Sequence, residues 1–282
     1  MSPLLSDITT RLAPISDTPA LDASVLIAHI INKPRTWVMA HPGLTLTPEQ
    51  QNQLDDLLVQ LERGKPFPYV LGYWEFFGME FDVTPDVLIP RPETELLVEK
   101  AIAWLQGSNV RQTVADVGTG SGAIAVSIAV NIPDAHILAT DISHAALAVA
   151  KGNACKFKVS HRIDFVQCDV LPPHPDRLST EQHFDLICAN LPYIPTGTLH
   201  GLPVYGREPT LALDGGEDGL DLFRKLMKVA PEWLAPNGLI LLELEATRGI
   251  QALNLAYDMF SQAEIHLHQD LTGRDRLLEI QL

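Results

Sequence analysis

The sequence predicts an α/β protein: a doubly wound, mostly parallel sheet of seven strands, preceded by a small helical domain and a β-hairpin connector. Three observations carry this. From residue 113 onward, short apolar runs alternate with helix-patterned segments, the order that gives a parallel sheet covered on both faces. The first 90 or so residues instead place leucines at helical spacing. Where the two regimes meet, Met79, Phe81 and Val83 alternate with Glu80 and Asp82, the period of a half-buried strand.

Taken in order, LDASVLIAHIIN from Leu21 reads as a short helix. Thr47-Pro48-Glu49-Gln50 supplies a capping residue, a proline suited to the first helical position and a glutamine able to reach back to the cap. Leu54, Leu57, Leu58 and Leu61 then share one face. Gly78 between the apolar run from Trp74 and the strand from Met79 predicts a small hairpin. In VLIPRPETE two prolines stiffen an extended linker around Arg91, and the helix ETELLVEKAIAWL follows. Strands are expected over 113–117, 136–140, 163–167, 184–189 and 239–244, and helices over 123–130, 145–156, 220–234 and 250–260. Segments 263–268 and 276–282, with a short polar turn between them, add an antiparallel pair at the sheet edge. The expected domains are a helical unit over 1–72, the hairpin and linker over 73–90, and the sheet domain over 91–282.

The balance of 20 Lys and Arg against 35 Asp and Glu, net −15, opposes a surface that grips nucleic acid through its phosphates. It leaves room for a basic protein partner. Three scattered cysteines without a CxxC pair argue against structural zinc and for a reduced, cytoplasmic chain. The opening residues lack the layout of a signal peptide, and no uncharged stretch is continuous enough for a membrane helix. His266 and His268 share a strand face, but no third ligand accompanies them, so no metal site is expected.

VADVGTGSGAIAVSIA puts Gly118, Thr119, Gly120, Ser121 and Gly122 between a strand and a helix, where backbone donors can approach a ligand directly. The absence of GK[ST] removes an ATP-type P-loop. A nicotinamide or flavin fingerprint and an S-adenosylmethionine (AdoMet) loop both remain. Asp141 ends the next strand, followed by Ile142, and suits a ribose diol in either case. Asp116, an acid just before the glycines, favours AdoMet, because a carboxylate is uncomfortable beside a pyrophosphate and comfortable beside an ammonium or sulfonium. Asp169, just past the third strand, could accept from an adenine amine while Val170 packs on the ring.

ICANLPYIPT ends a buried strand in Asn190 and a stiffened turn. Its NLPY resembles the (Asn/Asp/Ser)-Pro-Pro-(aromatic) signature of AdoMet-dependent methyltransferases acting on nitrogen conjugated to a planar system. RGKPFPYVLGYWEFFGMEFDVTPDVLIPRPETELLVE and REPTLALDGGEDGL resemble one branch, the bacterial methyltransferases of the glutamine N5 in peptide chain release factors. The similarity runs over nearly the whole chain, and VLIPRPETE is its most specific piece. It implies a Rossmann-like AdoMet-methyltransferase sheet, AdoMet as donor, S-adenosylhomocysteine as product, and a class I release factor as protein substrate. It implies that the Asn190 side-chain oxygen and the residue 191 carbonyl hold a glutamine amide, with Pro192 stiffening the turn and Tyr193 walling it. It also places Arg91 and Glu208 at the substrate. This chain departs from the pattern at Leu191, where the first proline is usual, which bears on rate more than on identity.

Rivals are glutamine methylation of a ribosomal protein, an adenine-N6 nucleic-acid methyltransferase and a nicotinamide-dependent oxidoreductase. The adenine-N6 class needs a basic track that this chain lacks. The expected species is a monomer, bound to neither nucleic acid nor membrane.

Overall fold

Ser2 starts the first helix: its Oγ accepts from the Leu5 N–H at 3.2 Å, with Pro3 in the first helical position. The computed structural model describes residues 2–107, 112–172 and 183–282. The chain divides into two compact units, Met1–Gly72 and Tyr73–Leu282.

The first unit holds α1 (Pro3–Leu12), α2 (Pro19–Ile31), α3 (Arg35–Ala40), α4 (Pro48–Glu62) and α5 (Phe67–Leu71). Its core is drawn from Leu5, Ile8 and Leu12 of α1, Leu26 and Ile27 of α2, and Leu54, Leu58 and Leu61 of α4. The expected capping box forms, with Gln50 N–H on Thr47 Oγ1 at 3.2 Å and Thr47 N–H on Gln50 Oε1 at 3.0 Å. The first helix, absent from the sequence reading, carries the same signal in Ser2-Pro3 and an i, i+3, i+7 apolar face.

The second unit opens with the hairpin β1 (Tyr73–Phe76) and β2 (Met79–Asp82), joined by Phe77 and Gly78, both at positive φ. That two-residue turn matches the twist of antiparallel strands. Phe77 is not a residue that favours this conformation, and its N–H is anchored on Glu95 Oε1 at 2.8 Å.

Then come α6 (Glu95–Gly107), β3 (Thr113–Val117), α7 (Ala123–Asn131), β4 (His136–Asp141), α8 (His144–Lys156), β5 (Ile163–Gln167), β6 (Phe184–Ala189) and the short α9 (Thr196–Leu199). The unit ends with α10 (Asp221–Trp233), β7 (Leu234–Glu243), α11 (Gly249–Met259), β8 (Glu264–Gln269) and β9 (Asp275–Gln281). The sheet order is β5-β4-β3-β6-β7-β9-β8, parallel except for β9 against β7 and β8. The seven strands and the antiparallel edge pair stand as the sequence predicts. One boundary differs: β7 begins at Leu234, not at 239. Pro236-Asn237-Gly238 reads as a turn, but the chain carries it as an irregular strand start, with Asn237 at φ 63° and a register shift opposite Phe184 and Leu186.

Alternate strand residues enter two cores. Leu186 and Cys188 of β6 face α6 and α7, while Ile187 and Ala189 face α10 and α11. The strand order reverses between β3 and β6, the point at which α/β sheets open a crevice at their strand ends. Among the described residues no helix is long and apolar enough to cross a membrane.

Candidate active site

A cavity of about 320 Å³ lies in that crevice, and Gly118, Asp141, Asp169 and Asn190, the ends of four parallel strands, all line it. Its size is that of a small-molecule pocket.

The loop after β3 is tied back to β4: the Gly118 and Thr119 N–H groups donate to the Thr140 carbonyl at 2.9 and 2.8 Å. Gly118 adopts φ 74°, and a Cβ there would sit 3.0 Å from Leu191 Cδ2. Glycine is therefore what lets the loop close onto the turn after β6. Asp141 accepts from the Gly120 N–H at 2.9 Å and the Ser143 N–H at 2.8 Å, one on each oxygen. Its carboxylate is thus fixed in direction with lone pairs left toward the cavity. Thr119, Gly120, Ser121, Ile142, Asp169 and Val170 line the same wall. Asp169 is met by Lys225 from α10. Burial pushes the cavity-lining Cys168 thiol up to about 11, which keeps it protonated and inert.

Two expected cofactor residues stand behind the wall instead of in it. Gly122 caps α7 away from the cavity, packed against Ala150 of α8. Asp116 is fully buried. Its Oδ2 accepts from Thr119 Oγ1 at 2.6 Å and the Ala125 N–H at 3.1 Å, so it braces the glycine loop from beneath. Its Oδ1 is buried without a partner among the described residues, and desolvation raises its pKa to about 6.

Asn190, Leu191 and Pro192 line the cavity. The Asn190 side chain donates from Nδ2 to Thr94 Oγ1 at 3.0 Å. Among the described residues nothing donates to its Oδ1 or to the Leu191 carbonyl. Tyr193 does not line the cavity. It is mostly buried, with its hydroxyl 3.4 Å from Glu243 Oε1. The wall expected from its ring is supplied by Leu191 and Pro192, because the turn swings the tyrosine toward β7.

The segment 194–216 is a pinned loop. The Ile194 N–H donates to the Leu213 carbonyl at 3.0 Å, and the Gly215 N–H donates to the Ile194 carbonyl at 2.8 Å. Gly219 backs onto the turn so closely that a Cβ would come within 2.3 Å of the Tyr193 carbonyl oxygen. Pro209, Leu211 and Ala212 bring the loop to the cavity. Arg91 lines the cavity as expected, but Glu208 does not: buried to 8% exposure, it binds the Arg91 guanidinium through one oxygen and the Ile89 N–H at 3.0 Å through the other. Both partners lie in the second unit.

The sequence reading missed Leu88, Thr94, Leu211 and Leu222 in the wall, and Glu243 beneath it. Only Glu243 carries a signal, an acid ending the otherwise apolar run LILLE. His266 and His268 are occupied by Glu264 and Glu279 at 2.9 and 2.8 Å, and no cluster of three metal-capable side chains occurs among the described residues.

Among the described residues the cavity wall holds carboxylates at Asp86, Asp141 and Asp169, the last met by Lys225, against one cation, Arg91, which Glu208 already occupies. Such a wall suits a cationic ligand bearing a diol and opposes a pyrophosphate.

Residues 3–72 match the family model described as PrmC N-terminal domain, and residues 108–267 match one described as methyltransferase domain. The release factor glutamine methyltransferase of Moorella thermoacetica is 40% identical over 261 residues, covering 92% of this chain and 90% of its own. That of Bordetella pertussis is 39% identical, covering 92% and 93%. Among solved structures, the N-terminal domain of human METTL16 in complex with SAH aligns with TM-score 0.52 at 15% identity, covering 84% of each chain. A methyltransferase from Pyrococcus furiosus gives 0.51 at 15%, covering 83% of this chain and 98% of that one. The structural likenesses concern the fold alone, whereas the sequence identity extends over both units, and on it the chain belongs to the release factor glutamine methyltransferase family.

Proposed function

We propose that this chain methylates the side-chain amide nitrogen, N5, of the glutamine in the Gly-Gly-Gln motif of class I peptide chain release factors. AdoMet supplies an electrophilic sulfonium methyl and leaves as S-adenosylhomocysteine. The observation that carries the reading is the Asn190–Leu191 tip: two oxygen acceptors without a donor among the described residues, on the wall of the cavity bounded by Gly118 and Asp141.

Gly118, Thr119, Gly120, Ser121 and Asp141 with Ile142 hold the ribose and amino-acid portions in this reading, and Asp169 with Val170 holds the adenine. Asp116 and Gly122 act from behind, keeping the loop in shape. Asn190 Oδ1 and the Leu191 carbonyl accept the two N–H groups of the substrate amide. They polarise a nitrogen whose lone pair is otherwise delocalised and aim it at the methyl carbon. Pro192 fixes the turn, and Tyr193 anchors it from the buried side. Positioning of this kind can supply ~7–11 kcal/mol of the barrier reduction. The methylated nitrogen sheds its proton readily, so no dedicated base is needed.

A net charge of −15 suits a basic protein partner better than a nucleic acid. The chain works as a cytoplasmic monomer in this reading. The test is incubation with labelled AdoMet and three separate acceptors: a class I release factor, a ribosomal protein mixture and DNA. Label in the release factor, lost when its Gly-Gly-Gln glutamine is replaced, is the expected result. Label in ribosomal protein or DNA alone refutes it, and binding of NAD in place of AdoMet moves the chain to oxidoreductases.

A further inference from the structure

The cavity has to take an adenine, a ribose, a sulfonium, an ammonium, a carboxylate and the neutral amide of a glutamine. Of these groups the carboxylate alone is an anion. Among the described residues the wall offers it one cation, Arg91. The resemblance in sequence places Arg91 at the protein substrate, yet a glutamine amide carries no charge to pair with it.

The chain holds Arg91 in place from two directions. Pro92 confines the residue before it to extended backbone, and Arg91 adopts φ −99° and ψ 142°. Its Nη2 donates to Glu208, and the second oxygen of that carboxylate is taken by the Ile89 N–H at 3.0 Å. The Glu208 side chain is 6% exposed and that of Arg91 33%, so the carboxylate is shut in while the guanidinium stays accessible in the cavity wall. A guanidinium carries N–H donors on all of its nitrogens. Glu208 engages Nη2, and Nε and Nη1 keep their donors without an acceptor among the described residues.

The glycine loop is poorly supplied for the same task. The Gly118 and Thr119 N–H groups are spent on the Thr140 carbonyl, that of Gly120 on Asp141, and that of Gly122 on the Thr119 carbonyl at 2.8 Å. The carboxylates of Asp86, Asp141 and Asp169 in the same wall repel another anion. A carboxylate taken out of water without a partner is costly, and the planar fork of an arginine matches its two oxygens.

We propose that Arg91 is a cofactor-binding residue: its unpaired guanidinium donors hold the carboxylate of AdoMet, and Glu208 keeps the guanidinium in position. The assignment rests on AdoMet as the donor and is independent of which acceptor is methylated. S-adenosylhomocysteine keeps the same carboxylate, so Arg91 holds donor and product alike.

The experiment compares AdoMet with decarboxylated AdoMet, which retains the adenosine, the sulfonium and the amine. Dissociation constants for both are measured by calorimetry on the full chain, wild type and Arg91→Met, with no acceptor present. The preference for AdoMet over its decarboxylated form is expected to fall roughly 10–100-fold in Arg91→Met, the scale of one charge-assisted contact. The loss falls on AdoMet, while the decarboxylated ligand binds both proteins to within a few-fold. A substitution that merely disturbs the wall weakens the two ligands together and leaves the preference unchanged, and that result overturns the assignment. Arg91→Met strands the Glu208 carboxylate. If it does not fold, Arg91→Met combined with Glu208→Gln removes both charges and is read in the same way. S-adenosylhomocysteine should lose affinity in step with AdoMet, and an undiminished product affinity also overturns the assignment. A wild type that shows the expected change in preference yet labels no release factor overturns the functional reading and leaves Arg91 assigned. A wild type that binds no AdoMet overturns both.

Discussion

Glu208 grips Arg91 across 117 positions of sequence, and its second oxygen holds the Ile89 N–H at 3.0 Å. One buried carboxylate therefore fastens the linker of 85–91 to the loop of 194–216, and both segments line the cavity. A charge-assisted hydrogen bond contributes roughly 1.5–3 kcal/mol. Glu208→Gln keeps the shape and weakens both bonds. AdoMet affinity is expected to fall by about tenfold, the lower end of that range. Calorimetric titration of the variant checks it, and an unchanged dissociation constant shows that the strap does not shape the cofactor wall.

Asn190→Ala and Gly118→Ala should separate turnover from binding. Asn190→Ala removes one acceptor and leaves the glycine loop alone. AdoMet affinity should hold while kcat drops ~10²–10³, as for the loss of one positioned polar group. Gly118→Ala forces a side chain into φ 74° and within 3.0 Å of Leu191 Cδ2. There the cofactor affinity should fall first. Equal losses in both parameters for both variants would mean that loop and turn are not distinct in function.

The strands, the edge pair, the hairpin and the glycine loop were legible because each rests on local pattern: alternation, periodicity, or glycines between a strand and a helix. Asn190 was legible for the same reason, an amide ending an apolar strand. What the sequence hid is nonlocal. Glu208 reads as a loop acid until Arg91 and Ile89 are seen beside it. Asp116 and Tyr193 carry the right chemistry for the cavity, but the pleat turns one beneath the loop and the turn swings the other toward Glu243. Sequence pattern shows which residues end the strands and says little of which side chains point into the crevice.

Asn153 shows how such nonlocal ties stabilise the site. Fully buried on α8, it accepts from the Asp82 N–H at 2.8 Å and donates to the Asp82 and Ser121 carbonyls at 3.0 and 2.9 Å. It joins the hairpin to the glycine loop through the backbone alone. Asn153→Ala strands one buried and two part-buried backbone groups, the buried one costing about 1–3 kcal/mol and the others less, because water reaches them. A net loss of roughly 2–4 kcal/mol is expected in denaturant unfolding. A change below about 0.5 kcal/mol, the range of ordinary surface substitutions, would mean that the three bonds are replaced on relaxation.

The buried carboxyls predict how stability answers to pH. Desolvation holds Asp116 at about 6 and Glu243 at about 7 in the folded chain. In the unfolded chain both ionise near pH ~4. Between those limits the unfolded state has shed protons that the folded state still keeps. Their contribution to stability is therefore full below about pH 4 and is lost as pH rises through the folded values. The loss is on the order of 1–3 kcal/mol per group. Asp116→Asn leaves an amide oxygen to accept from Thr119 and Ala125 and removes one titration. Melting temperatures recorded from pH ~5 to ~8 should therefore fall more in the wild type than in the variant, because the neutral amide has no ionisation to resist. Parallel curves would mean that Asp116 ionises in the folded chain as easily as in the unfolded one, which its complete burial and its unpartnered Oδ1 oppose.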